Sequence, residues 1–124
     1  MSHAERYAVT VTTDSSGDAV AYTERPITGE IVNVSYTKDD FADTVDFTIV
    51  LEGSGLGLWG EENVTASKTV APMQPAHSQA GAALLYADSG EPVTRPIYAA
   101  AERVKFTVAN GGDTKSGTFT VVVA

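Results

Sequence analysis

The clearest alternation of apolar and polar residues lies at the end of the chain, from Glu102 to Ala124. Apolar side chains occupy every second position in residues 104–108 and again in residues 119–123. Between these runs, Asn110 and the glycines after it tolerate the positive φ angles of a tight or bulged turn. A two-residue period on both sides of such a turn predicts a β-hairpin with one buried face.

The same period predicts strands earlier in the chain, at residues 6–13, 19–23, 28–37 and 44–51. Asp14 to Asp18 is rich in turn-forming residues and predicts a hairpin turn between the first two strands. In the third strand, the alternation places Val32, Val34 and Tyr36 on one face.

A segment with a different composition spans about residues 72–96 and contains Pro72, Pro75, Pro92 and Pro96. We expect a proline-rich loop here. Within it, residues 80–86 fit one helical turn or a short strand equally well. The chain as a whole shows about eight short strands, frequent turns and no long helical pattern. It therefore predicts one all-β domain over residues 1–124, built as a β-sandwich or a jelly-roll or Greek-key barrel.

Composition narrows the classes of function. The 124 residues include no cysteine, which excludes disulfides and thiolate sites. Sixteen acidic and eight basic residues give a formal net charge of −8, which argues against nucleic acid and polybasic membrane contacts as partners. No apolar run reaches membrane-spanning length, and the first residues lack a signal-peptide core, so we expect the whole chain to fold as a soluble domain.

A glycine motif in the middle of the chain fits the dinucleotide pattern G-x-G-x-x-G, with Gly55, Gly57 and Gly60 in the three positions. That motif binds pyrophosphate where a helix begins. Here Glu61 and Glu62 follow at once, and their carboxylates would repel a phosphate. The pattern favours a flexible loop or a bulge, and we expect no cofactor.

An acidic cluster, formed by Asp39, Asp40, Asp43 and Asp46, offers oxygen ligands to a cation such as Ca²⁺. In a chain this acidic we favour a solvated loop and predict no metal site. The two histidines, His3 and His77, form no recognisable triad with a nucleophile and an acid. We therefore predict no catalytic residues and no enzymatic activity.

Trp59 is the strongest candidate for a contact residue, because it lies between glycines with Leu56 and Leu58 beside it. It could anchor an interface or fold back to cap one end of the core, and the sequence leaves both interpretations open. The predicted interface consists of these three residues together with Pro75, His77, Leu84, Leu85 and Tyr86.

Several stretches, taken in order, resemble a family of short virion proteins encoded among the head genes of tailed bacteriophages. The longest is Glu102-Arg-Val-Lys-Phe-Thr-Val-Ala-Asn-Gly-Gly-Asp-Thr-Lys-Ser-Gly-Thr118. Shorter ones lie at residues 9–19, 46–49, 52–55, 75–77 and 81–84. Turns and alternating strands carry much of this resemblance, which spans most of the chain.

The resemblance implies a β-structured accessory protein of the virion, with no catalytic motif to transfer. Its implied role is to decorate or cement the capsid surface. The implied partners are the major capsid protein and copies of the chain itself, as a dimer or trimer, after synthesis in the host bacterial cytoplasm.

Two other classes of function stay open. One is a receptor- or carbohydrate-binding head-fibre or tail accessory module, which an exposed aromatic cluster would favour: Tyr22, Tyr36, Trp59, Tyr86 and Tyr98. The other is a head–tail connector, or neck protein, which would form a ring. The copy number per particle separates these classes from a decoration protein.

Overall fold

The computed structural model describes residues 4–75 and 94–124 of the chain, and these residues form strands joined by turns. The described strands are β1 (Glu5–Thr12), β2 (Ala19–Tyr22), β3 (Ile27–Lys38), β4 (Asp46–Leu51), β5 (Gly57–Glu61), β6 (Lys68–Val70), β7 (Met73–Pro75), β8 (Thr94–Pro96), β9 (Tyr98–Glu102), β10 (Val104–Ala109) and β11 (Ser116–Val123). In these two ranges, no helix is long and apolar enough to cross a membrane. The predicted all-β fold class is confirmed.

The strands form two main sheets in which every pairing is antiparallel. Sheet one has the order β1-β11-β3-β6, and β9 pairs with the first part of β3. Sheet two has the order β2-β10-β4-β5. β7 and β8 form a separate two-stranded ribbon. The architecture is a β-sandwich, as predicted.

Aromatic rings fill the space between the two sheets. Phe106 of sheet two stacks on Phe119 of sheet one, with ring centroids 5.1 Å apart. Phe47 of sheet two meets both Phe119 and Tyr36 at centroid distances of 5.1 Å. Burying each such side chain stabilises the fold by about 1.5–3 kcal/mol. These contacts join the two sheets, and Tyr36 also meets Phe119 within sheet one at a centroid distance of 5.3 Å.

The predicted C-terminal hairpin is wrong, although both of its strands are present. β10 pairs with β2 and β4 in sheet two, whereas β11 pairs with β1 and β3 in sheet one. The turn between them does carry positive φ angles, at Asn110 (57°) and Gly112 (94°). It forms an arch that carries the chain from one sheet to the other. The predicted hairpin between the first two strands is wrong for the same reason, since β1 and β2 belong to different sheets.

The two arches hold each other in place at one end of the sandwich. The Gly111 N–H donates to the Gly17 carbonyl at 2.9 Å, and the Thr114 N–H donates to the Asp14 carbonyl at 3.1 Å. Thr13 is buried, and its hydroxyl donates to the Gly112 carbonyl at 2.6 Å. Through these bonds, backbone groups of each arch find hydrogen-bond partners in the other arch. Both arches can therefore lead the chain from one sheet to the other.

In β3, the predicted shared face for Val32, Val34 and Tyr36 is only partly correct. Val34 and Tyr36 are buried, but Val32 is 40% exposed. The register against β11 shifts between Val122 and Val123, so β3 carries one additional residue at this point. A bulge of this kind moves the residues before it to the opposite face. Val32 is thereby turned outward.

Phe41 lies in the predicted acidic loop and is buried in the core. Its ring stacks on Tyr36 with centroids 6.2 Å apart and covers Gly117 of β11. A Cβ atom at Gly117 would lie 2.4 Å from the Phe41 ring. The loop is therefore fastened by an apolar anchor that fits only because position 117 lacks a side chain.

The proline-rich segment is described only at its two ends. Residues 73–75 and 94–96, which fall inside the predicted loop, pair with each other as β7 and β8. Residues 80–86, for which a helical turn or a strand was predicted, lie outside the described residues.

Candidate functional site

The predicted interface residues occupy different environments. Leu56 lies in the connection before β5 and is 40% exposed, whereas Leu58 in β5 is buried in the core. Trp59 is partly buried and packs against the core. Pro75 is the last residue of β7. The other four predicted contacts, His77, Leu84, Leu85 and Tyr86, lie outside the described residues.

Trp59 belongs to an edge strand and not to a loop. It pairs with Ile49 of β4, and its ring meets Phe47 edge-on at a centroid distance of 4.7 Å. The indole N–H donates to Glu61 Oε1 at 3.0 Å, and Lys68 of β6 donates to the same oxygen at 2.6 Å. These bonds, with that of Lys68 the stronger, hold the pKa of the Glu61 carboxyl below its ordinary value. The geometry matches the core-capping interpretation, with the indole closing one side of the sandwich.

The glycine motif forms a tight turn and a strand. Gly55 adopts a φ of 76°, and its N–H donates to the Leu51 carbonyl at 2.8 Å. Gly57 and Gly60 then lie in β5, where Ile49 pairs with Trp59 and Val50 with Gly57, so that Leu58 is the additional residue of a bulge. A strand therefore begins where pyrophosphate binding requires the first turn of a helix. The expected bulge is present.

The four acidic residues of the cluster make separate contacts, and Asp39 accepts a hydrogen bond from the Thr118 hydroxyl at 3.4 Å. Asp40 accepts a hydrogen bond from the Ser116 N–H at 2.6 Å, and Asp43 pairs with Lys38. Asp46 accepts bonds from the Asn63 N–H at 2.9 Å and from the Asn110 amide at 2.7 Å. Within residues 4–75 and 94–124, no three His, Asp or Glu side chains converge on a common point.

The outward surface of sheet two, here named the sheet-two face, gathers exposed apolar residues. Val20 is 55% exposed and Tyr22 is 36% exposed, both on the short strand β2. The register places the central side chains of this face in two cross-strand rows: Tyr22, Lys105, Val50 and Gly57 in one, and Val20, Thr107, Thr48 and Gly60 in the other. Lys105 is the one charged residue in these two rows, and a further pair, Ala109 with Asp46, lies at one end of the face. The face is thus wide and exposed, and its centre carries one charge.

Tyr22 is held by a charged pair at one corner of the sheet-two face. The Arg103 guanidinium lies 4.3 Å from the centre of the Tyr22 ring. Glu52 accepts two hydrogen bonds from Arg103, at 2.7 and 2.8 Å. This bidentate contact keeps the pKa of Glu52 below its ordinary value and raises that of Arg103. The ring is therefore oriented before any partner arrives, which lowers the entropy cost of a contact.

A hollow of about 410 Å³ lies beside Val20 on the sheet-two face. Residues of β2 and β10 line it, and Asp14 and Asp18 of the first arch close one end. A protruding valine next to a hollow is the surface shape on which an interdigitating partner can dock.

The sequence signal for the sheet-two face is weak. β2 reads Ala-Val-Ala-Tyr, in which the small residues Ala19 and Ala21 pack inward and the larger Val20 and Tyr22 point outward. A strand with its larger apolar residues on the solvent side is a sign of an exposed functional face. The alternation alone does not state which side is inward.

The aromatic residues expected to bind sugar divide between core and surface. Tyr36 is in the core and Trp59 packs against it, while Tyr22 and Tyr98 are exposed. Tyr86 lies outside the described residues. Among the described members of this set, two are therefore not free to stack on a sugar ring.

Comparison with known proteins adds little to this geometry. No family model matches the chain, and no curated protein matches it. Among solved structures, the chain is similar to that of "Crystal Structure of FLHE", with 12% identity, a TM-score of 0.43 and 98% of each chain covered. At this TM-score the likeness carries no argument. The resemblance to phage virion proteins stays a prediction from the sequence.

Proposed function

We propose that this chain is a non-enzymatic structural protein that coats the outside of a phage capsid and stabilises the shell. Its partners in this role are the major capsid protein and other copies of the chain. The observation that carries the proposal is the sheet-two face, where Val20 and Tyr22 are exposed and the central rows carry one charge. The resemblance of residues 102–118 to phage virion proteins supplies the setting.

The composition of the sheet-two face favours protein contact. Exposed apolar residues with a charged border are typical of interfaces between proteins. Gly57 and Gly60 keep the β5 side of the face flat. Arg103 and Glu52 stand at its border, where charges contribute specificity more than affinity.

The net charge of −8 supports a position outside the shell. Packaged DNA is a dense polyanion, so an acidic protein is repelled from the interior of a filled capsid. On the outer surface, one copy needs only a modest contact with the shell. Repetition by capsid symmetry and contact between neighbouring copies then raise the overall affinity through avidity.

The test is binding to shells of the phage that encodes the chain. Purified protein is added to shells lacking it, and the bound amount is measured by sedimentation and mass spectrometry. Val20→Asp should weaken binding at least about tenfold, because the carboxylate would be buried against the shell. Val32→Asp, the same change at an exposed strand residue of sheet one, is the matched control and should bind like the unaltered protein.

The copy number in intact virions is the second measurement. Hundreds of copies per particle support a decoration protein, whereas about a dozen or fewer indicate a neck or tail component, since connector rings have low-order symmetry. Equal binding of the Val20→Asp and Val32→Asp proteins would remove the sheet-two face from the proposal.

A further inference from the structure

Among the described strands, β1 is an edge strand with one unpaired side. It pairs with β11 at every residue from Glu5 to Thr12, in a register without a bulge. In the described ranges, no strand pairs with its other side. Proteins usually block such edges with lysine, proline, bulges or short strands. From Tyr7 to Thr12, β1 contains no charge, proline or glycine.

The other edges of the described sandwich carry blocking features. β2 has four residues and β6 has three, including Lys68. β5 contains two glycines and a bulge at Leu58. β9 includes Ala101 at a φ of 53°. β1 is therefore the one long and regular edge among the described strands.

The direction of the free backbone groups on β1 follows from its last hydrogen bond to sheet one. The Thr13 N–H donates to the Lys115 carbonyl at 2.8 Å. In an antiparallel pair, successive residues point their N–H and C=O groups to opposite sides. The odd-numbered residues of β1 thus bond to β11, and Arg6, Ala8, Thr10 and Thr12 present their backbone groups to the unpaired side.

A trough of about 440 Å³ lies along the first half of this edge. Residues 5–9 of β1 line it together with Glu24 and Arg25, from the turn after β2. Tyr7 and Val9 are only half-buried there, although they pack against the core. An added strand would fill the trough and complete the burial of these two side chains.

We propose that two copies of this chain pair through their β1 edges, antiparallel and about a two-fold axis at Val9. This inference rests on the self-association included in the proposed function and names the surface that performs it. The dimer contains a continuous sheet in the order β3-β11-β1, followed by the same strands of the second copy in reverse.

The two-fold axis at Val9 satisfies the free backbone groups. Ala8 lies opposite Thr10 of the second copy, and Arg6 lies opposite its Thr12, each as a hydrogen-bonded pair that symmetry repeats. Tyr7 then faces Val11 of the second copy on the core side. The second half of each β1 occupies the trough beside the first half of the other.

The two ends of β1 differ in charge. The beginning of the strand holds Glu5 and Glu24 beside Arg6 and Arg25 and is neutral overall, whereas Asp14 and Asp18 follow its end. Antiparallel pairing keeps the aspartates of the two copies apart and brings each aspartate pair to the end that holds both arginines. The pattern therefore favours a second copy in antiparallel orientation, and the closed pairing leaves no β1 edge for further growth.

The test uses the full-length chain and a matched pair of variants at Thr10, whose hydroxyl lies 3.3 Å from that of Thr118. Thr10→Val and Thr10→Pro both remove this hydroxyl, but only proline removes the N–H that faces the second copy. Proline is tolerated on an edge strand where the N–H faces solvent. We expect sedimentation equilibrium to show about twice the 13.0 kDa chain mass for the unaltered and Thr10→Val proteins. Thr10→Pro should show the mass of one chain.

Hydrogen exchange on the unaltered protein tests the same pairing without any variant. The amide protons of Ala8, Thr10 and Thr12 should be protected at high protein concentration and exchange rapidly after dilution. Those of Val9 and Val11 should stay protected at both concentrations, because they bond to β11 within one copy.

Several results would overturn the inference. They are a monomer at every concentration, a trimer, equal association of the two Thr10 variants, or rapid exchange of the Ala8 and Thr10 amides at all concentrations. Loss of the dimer in Val20→Asp but not in Thr10→Pro would also overturn it, by assigning self-association to the sheet-two face. A monomer that still binds phage shells would leave the proposed function standing.

Discussion

Phe106 of β10 stacks on Phe119 of β11 across the interior, with ring centroids 5.1 Å apart and ring planes inclined by 25°. These residues belong to strands that are consecutive in the chain but lie in different sheets. The arch between β10 and β11 therefore places its two strands face to face. The central contact of the core comes from this crossing.

Replacing Phe119 with alanine should strongly destabilise the protein. The ring is fully buried and contacts Phe106, Phe47 and Tyr36. We expect the free energy of unfolding to fall by about 3–5 kcal/mol, measured by urea denaturation. Thr120→Ala, at the next position of the same strand, should change it by about 0.5 kcal/mol or less. Equal effects of the two changes would contradict the described face of β11.

Trp59→Ala distinguishes a core residue from a surface contact. Because the indole packs on Phe47 and bonds to Glu61, we expect the isolated protein to lose about 2–3 kcal/mol of stability, seen as a lower melting temperature. Leu56→Ala, at an exposed neighbour, should leave the melting temperature nearly unchanged. If the Trp59→Ala protein were as stable as the Leu56→Ala protein, Trp59 would be an interface residue and not a core residue.

Tyr36 should make stability depend on pH at the alkaline end. Burial, and then the charges of Asp39 and Asp43, raise the pKa of its hydroxyl from 10.0 to about 12. Between these values the folded protein keeps a proton that the unfolded chain has lost. The stabilisation that comes from this pKa difference is therefore fully present below pH 10. It is lost as the pH rises through 12, which lowers the free energy of unfolding by about 2–3 kcal/mol.

Tyr36→Phe is the control for this alkaline loss, and urea denaturation at several pH values is the measurement. The Tyr36 hydroxyl has no hydrogen-bond partner among the described residues. Its removal should be neutral or stabilise the protein by about 1 kcal/mol at pH 7. The variant should also lose less stability than the unaltered protein above pH 10. Identical pH profiles would show that Tyr36 does not titrate in the folded state as proposed.

Gly117→Ala should disturb the anchoring of the acidic loop. The added Cβ would overlap the Phe41 ring, with contacts of 2.4 and 2.5 Å. We expect a loss of about 1–3 kcal/mol in thermal or urea unfolding. Gly57→Ala introduces the same methyl group where nothing lies within 4 Å, and should cost far less. Comparable losses for both would contradict the close packing of Phe41 on Gly117.

The positions of the turns could be predicted from local sequence patterns, whereas the sheet-two face could not. The turn from Asp14 to Asp18 and the positive φ at Asn110 follow from side chains that bond to their own backbone or tolerate the left-handed region. The exposure of Val20 and Tyr22, by contrast, depends on which face of β2 packs toward sheet one once β2 has paired with β10. No local pattern carries that information.

The sequence by itself determined that the protein is all-β, where most of its strands lie and where the chain turns. The reason is that a two-residue period and turn-forming residues act over a few neighbouring positions. Only the tertiary structure decided which sheet each strand joins, that Val32 points outward, that Trp59 closes one side of the core and that β1 is an edge among the described strands. These features depend on contacts between distant residues, such as Phe106 with Phe119 or Phe41 with Gly117, whose partners no periodicity along the chain specifies.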